Sequence, residues 1–152
     1  MRPRHIDDFA ITELDRPALD YVWQHMRRRD REEVLLQGLT NDNYAAMILA
    51  NSEKFSTSLD GVPLAVFGAI ETKGCFWIFF MATDALRRHL RLFTDCAIGF
   101  IEYLRRKYFG KRCLVNVWQE HTRSVRWLAS LGFAEVERIA YSEQPFLIME
   151  KR

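Results

Sequence analysis

Cys113-Leu114-Val115-Asn116-Val117-Trp118 is a short apolar run, and after a polar break it is followed by Ser124-Val125-Arg126-Trp127-Leu128-Ala129-Ser130-Leu131-Gly132-Phe133. The first stretch reads as a buried strand. The second sets Val125, Leu128 and Ala129 on one face of a helix, roughly Thr122 to Leu131, that stops at Gly132. Upstream, Phe93, Ala97, Ile101, Leu104 and Tyr108 repeat at helical spacing from about Leu90 and end before Gly110. Before that helix stands Cys75 to Thr83, whose core Phe76-Trp77-Ile78-Phe79-Phe80-Met81-Ala82 is too apolar to leave a face in water. Strand, long helix, strand implies two parallel neighbours joined by a right-handed crossover.

Further out, Asp60-Gly61 lies between apolar runs Phe55 to Leu59 and Val62 to Glu71, the strongest short signal for a hairpin. The turn Thr72-Lys73-Gly74 then leads into the Cys75 strand, which makes an antiparallel meander. Pro17 with Leu19, Val22, Trp23 and Met26 predicts an amphipathic helix. A charged segment, Arg27 to Glu33, runs into Val34-Leu35-Leu36 with Gly38 as a stop, and a third helix is capped by Asn41 or Asp42. A short first strand is expected near Arg4 to Ile6, and two closing strands near Ala134 to Tyr141 and Phe146 to Glu150.

The 152 residues suit one domain, 1–152, and 49% hydrophobic with 28% charged residues is ordinary for a folded chain. A formal net charge of +2 argues against dedicated nucleic-acid binding. The longest apolar run falls far short of the roughly 20 residues needed to span a membrane. Met1 to Asp8 has no apolar stretch behind it, so no secretory signal is expected and the cytoplasm is the default compartment. Cys75, Cys96 and Cys113 are widely spaced with apolar neighbours, which favours core packing over metal or redox chemistry.

Val115-Asn116-Val117 followed by Ser124 through Phe133 resembles the closing motif of the GNAT N-acyltransferases, a strand and then a helix ending in Leu-Gly-Phe. The resemblance extends to small GNAT-like proteins of short-tailed bacteriophages, among them internal virion or assembly proteins. Three stretches carry it: Met26-Arg27 with Asp30 and Glu33, Gly61-Val62-Pro63-Leu64-Ala65, and Asn116-Val117-Trp118 through Gly132. It implies an α/β fold: a mixed, mostly antiparallel central sheet with one parallel strand pair and flanking helices.

The resemblance also implies acetyl-CoA as cofactor, held against the backbone of Phe80, Met81, Ala82 and Thr83, and an amine acceptor. The glycine-rich loop that cradles the pyrophosphate in that family has no counterpart here, since Thr83 to Arg91 contains no glycine. Arg87, Arg88 and Arg91 stand there instead, either as phosphate ligands or as a solvated helix start. The family's tyrosine acid, four residues before the closing glycine, is Leu128, which has no proton to give. His121 replaces an asparagine at the start of the last helix and serves either as a base or as a helix-end residue. Asn116 has a structural or a site role. Glu33, in the charged cluster with Asp30 and Glu32, is a candidate general base, or part of a solvated face. Tyr44, Trp77, Trp118, Trp127 and Phe133 line a pocket or fill the core.

Two functions follow: an acyl-CoA-dependent N-acyltransferase, or a non-catalytic assembly protein that binds phage or host proteins. An enzyme should show a cleft near Ala82 and Asn116 with arginines at one end. A purely structural protein should show that space filled by aromatic rings.

Overall fold

A computed structural model of the protein describes residues 9–51 and 53–152. Among the described residues seven strands form one sheet: β1 (Phe9–Glu13), β2 (Glu53–Leu59), β3 (Val62–Thr72), β4 (Cys75–Ala82), β5 (Arg112–Trp118), β6 (Phe133–Tyr141) and β7 (Gln144–Lys151), in spatial order β1-β2-β3-β4-β5-β7-β6. The helices are α1 (Arg16–His25), α2 (Arg28–Leu36), α3 (Asn41–Leu49), α4 (Leu90–Lys107) and α5 (Thr122–Ser130), with a short 3-10 helix at Asp84–His89. All strand neighbours are antiparallel except β4 and β5, which run parallel.

The α/β reading and the parallel pair expected from the sequence are both present. The strand expected at Arg4 to Ile6 falls outside the described residues. β1, which the sequence did not reveal, is a mostly exposed edge of five residues with only Phe9 partly covered, so it carries almost no apolar signal. The third helix starts one residue away from the expected cap. Thr40 is the capping residue: its hydroxyl accepts the Asn43 N–H at 3.4 Å, and Asn43 Oδ1 accepts the Thr40 N–H. At the tip of the β2–β3 hairpin Asp60 and Gly61 both adopt positive φ, 51° and 80°, as a two-residue turn requires.

Alternation along β4 sends neighbouring side chains to opposite faces. Met81 joins Leu19, Val22, Val34, Tyr44 and Ile48 beneath α1, α2 and α3. Phe76 joins Ile101, Leu104, Leu128 and Leu131 beneath α4 and α5. Each helical layer therefore covers one side of the sheet. At Gly68 on β3, the ring of Phe79 lies where a side chain would stand, and a Cβ there would overlap both that ring and the Glu53 carbonyl oxygen.

Gly68→Ala should therefore cost about 1–3 kcal/mol of stability by overpacking. Gly99→Ala, in the exposed interior of α4 with open space around it, should instead add about 0.8–1 kcal/mol. Urea denaturation of both variants checks the two signs, and a neutral Gly68→Ala would show that β2 and β3 yield at this point.

Candidate functional site

The parallel ladder between β4 and β5 lasts for four residue pairs and ends at Ile78 opposite Val115. β5 continues along β7 to Trp118, and β4 continues along β3 to Ala82. A wedge-shaped gap therefore opens between residues 79–82 and residues 116–118. The Thr83 N–H bonds Leu64 O on the β3 side at 2.8 Å. Alternation then turns the backbone polar groups of Phe80 and Ala82 toward the gap.

Those of Ala82 are already engaged. Its N–H donates to Asp30 Oδ2 at 2.8 Å and its carbonyl accepts the Arg27 N–H at 2.8 Å, while Met26 bridges Thr83. Of the backbone expected to meet a cofactor, Phe80 to Thr83, only Phe80 directs its N–H and C=O into the gap without one of these contacts.

α2 fills the other side of the wedge. Asp30 and Glu33, one helical turn apart, each reach one of the parted strands: Asp30 takes the Ala82 N–H, and Glu33 Oε2 accepts the Trp118 N–H at 3.0 Å. Asp30 is only 5% exposed and also accepts two bonds from Arg27. His121, 4% exposed, places Nε2 2.6 Å from Asp30 Oδ1 and 3.0 Å from Ser124 Oγ. Both partners sit on the same ring nitrogen. A relay from serine through opposite imidazole nitrogens to a carboxylate needs two, so this group is a tie between α2 and α5 and not a nucleophile triad.

Burial pushes the Glu33 carboxyl up from 4.5 to about 8; the neighbouring Asp30 adds to this, and the Trp118 N–H and Arg27 oppose it. Burial also raises the Tyr44 hydroxyl, with Glu33 and Asp30 contributing. Asn116 Nδ2 donates to Gln37 Oε1 at 3.3 Å, while its buried Oδ1 has no hydrogen-bond partner among the described residues.

Two hollows meet at the wedge. The inner one, about 270 Å³, passes from the α2–α3 side, with Glu33, Gln37, Tyr44, Trp77 and Asn116, to the α4–α5 side, with Phe93, Ala97, Phe100, Ile101 and Leu128. The outer one, about 440 Å³, lies between the start of α2, the 3-10 helix and the first turn of α5; Arg27, Arg28, Arg29, Arg87 and Arg123 line it, with Asp84 and Glu120. Phe80, Ser124 and Trp127 belong to both walls. Phe93 stacks on both Phe80 and Trp127, whose own rings are tilted to each other, with all centroids 5.0–5.8 Å apart, and Trp127 Nε1 donates to Thr94 Oγ1.

Glu33, Asn116 and Phe80 thus converge on the inner hollow, and His121 and Arg87 on the outer one. Arg88 and Arg91 are exposed and outside both linings; Met81, Ala82 and Thr83 are buried. The sequence pointed to Arg27–Arg31 only as a charge cluster and passed over Arg123 and Ser124. Trp118 is packed away from both hollows beneath the guanidinium of Arg29, 5.3 Å from its ring. Among the described residues no cluster of three metal-ligating side chains occurs, and no helix is long and apolar enough to cross a membrane.

The chain superposes on solved structures along almost its whole length. Ard1 from Thermoplasma volcanium superposes with a TM-score of 0.75 at 12% identity, covering 95% of this chain and 97% of that one. This chain has the GNAT fold. The ribosomal-protein-S18-alanine N-acetyltransferase of Escherichia coli gives 0.69 at 14% identity, over 94% and 92%. A GNAT-family acetyltransferase from Bacillus anthracis gives 0.69 at 12%, over 94% and 93%. No family model matches the sequence, and neither does any curated protein.

Because the folded-state pKa of Glu33 lies above its ordinary value, its favourable contribution is full below about 4.5 and is lost as pH rises toward about 8. Glu33→Gln keeps an acceptor for the Trp118 N–H and removes the titration. Melting temperatures measured from pH 5 to 8.5 should fall more steeply for the native protein than for Glu33→Gln. Parallel curves would show that Glu33 ionises normally.

Proposed function

We propose that this GNAT-fold protein is an acyl-CoA-dependent N-acyltransferase. The observation that carries the reading is the wedge itself: a carboxyl with a pKa near neutrality stands on one side, a strand backbone faces it, and five arginines ring the outer mouth. The residues present suit a phosphorylated thioester. Guanidinium groups and the first turn of α5 supply phosphate recognition where the glycine loop is missing.

Acyl-CoA supplies a thioester carbonyl activated for attack. Glu33, held by the Trp118 N–H, takes one proton from a substrate ammonium in the lobe lined by Gln37, Tyr44, Trp77 and Asn116, and the freed amine attacks the carbonyl. The Phe80 N–H, turned into the gap, steadies the developing negative charge on the carbonyl oxygen. The C–N bond forms, the C–S bond breaks, the new amide nitrogen gives its second proton to solvent, and the thiolate takes one from solvent, since Leu128 offers none. His121, locked to Asp30 and Ser124, acts as a positioning residue for α2.

A specific observation favours a second reading. The stack of Phe80, Phe93 and Trp127 fills part of the space between α4 and α5, as a non-catalytic virion-assembly protein of the phage type would require. Phe109, 92% exposed at the end of α4, would suit contact with a phage or host protein.

Calorimetric titration with acetyl-CoA and free CoA separates the two. Micromolar binding supports the enzyme, and no heat at millimolar ligand leaves the assembly reading. Under the first, Arg87→Ala with Arg123→Ala should weaken CoA binding roughly 10–100-fold through lost charge-assisted bonds. Arg88→Ala with Arg91→Ala, which do not line the hollow, should change it by less than about threefold.

A further inference from the structure

The outer and inner hollows differ in chemistry as the two ends of an amphiphile do. Five arginines face the outer one. On the α4–α5 side the inner one is walled by Phe93, Ala97, Phe100, Ile101, Leu128 and Leu131. Ser124 sits at the junction, its hydroxyl on His121, and the Trp127 indole N–H is engaged by Thr94. With so few open polar partners, water gains little there, and such a cavity stays dry or takes an apolar guest. An acetyl group would leave most of it empty.

Resting on the acyltransferase reading, we infer that the acyl group this protein accepts is a medium-length aliphatic chain, with the phosphates of its CoA carrier in the arginine hollow and its tail in the cavity under α4 and α5. The inner cavity, about 270 Å³, is nearly twice the roughly 150 Å³ known to hold a six-carbon ring, and part of it belongs to the acceptor lobe, which leaves room for a chain of about eight carbons. Phe80, Ser124 and Trp127, shared by both walls, form the neck through which the thioester end passes. Leu128, where relatives carry a tyrosine, is then part of the tail's apolar wall. The transfer step keeps the same balance: the acyl carbon leaves sulfur for nitrogen, whatever the length of its tail.

Calorimetry with free CoA, acetyl-CoA and octanoyl-CoA tests this on the native protein. Each buried methylene is worth about fourfold in affinity, so octanoyl-CoA should bind at least about 100-fold more tightly than acetyl-CoA. Ala97→Phe, which fills the cavity, should bring octanoyl-CoA down to the affinity of acetyl-CoA; if that variant does not fold, the three-ligand comparison decides alone. Equal affinity for all three ligands would overturn the chain-length inference and leave the acyltransferase reading standing. Binding of none of them would overturn the acyltransferase reading itself.

Discussion

The last residue of β4, Ala82, has no strand on one side of it and is completely buried. A buried amide or carbonyl without a partner costs about 1–3 kcal/mol, so something other than a strand must meet this edge. The Arg27 N–H and the Asp30 carboxylate do so. That constraint fixes where α2 begins and how it is turned, and from it follow the bond of Glu33 to Trp118 and the tie of Asp30 to His121 on α5. A carboxylate this buried is tolerable because Arg27, Ala82 and His121 all face it. One helix start thus holds together two strands and a second helix that the sheet alone would leave apart.

Most elements were legible because their signals are local. Asp60-Gly61 has the turn chemistry of a hairpin, Cys75 to Ala82 has no polar residue to turn toward water, and α4 keeps its apolar spacing for five turns. β1 was not legible, because an edge strand with one partly covered residue has no pattern to read. The same limit applied to the site. Glu33 was picked out by its place in a charged run, but nothing in that run distinguishes the carboxylates at 30 and 33, which turn inward, from Glu32, which pairs with Arg28 and Arg29. Helical phase relative to the gap makes the difference, and that phase is set by the contact at Ala82. Arg123 and Ser124 were passed over for a similar reason: their meaning comes from the start of α2 and the 3-10 helix, both far away in the sequence.

The departures from the resembled family fall in one region. The glycine loop, the tyrosine and the asparagine are absent together, and all belong to the side of the wedge bounded by α4 and α5. There the chain has bulk, in Phe80, Phe93 and Trp127, and cationic side chains where backbone amides would otherwise serve. Recognition by arginine forks is directional and tolerant of a mobile partner, whereas a backbone cradle requires close approach of the main chain. Under the proposed function, guanidinium forks take the anion-binding part that the resembled family gives to backbone amides.

The short parallel ladder has a consequence for how the chain assembles. β1 to β4 form a meander whose partners are near in sequence, apart from the return of β1 to β2, and β6 and β7 form a hairpin. The two groups are joined through β5, which must cross 29 residues of helix and turn, 83–111, to make only four pairs with β4. Loop closure is paid in entropy before such distant pairs give anything back. The two groups of strands are therefore joined by a short ladder that is costly to close, and the wedge lies where that ladder stops, between Ile78 and Val115 on one side and the parted strand ends on the other.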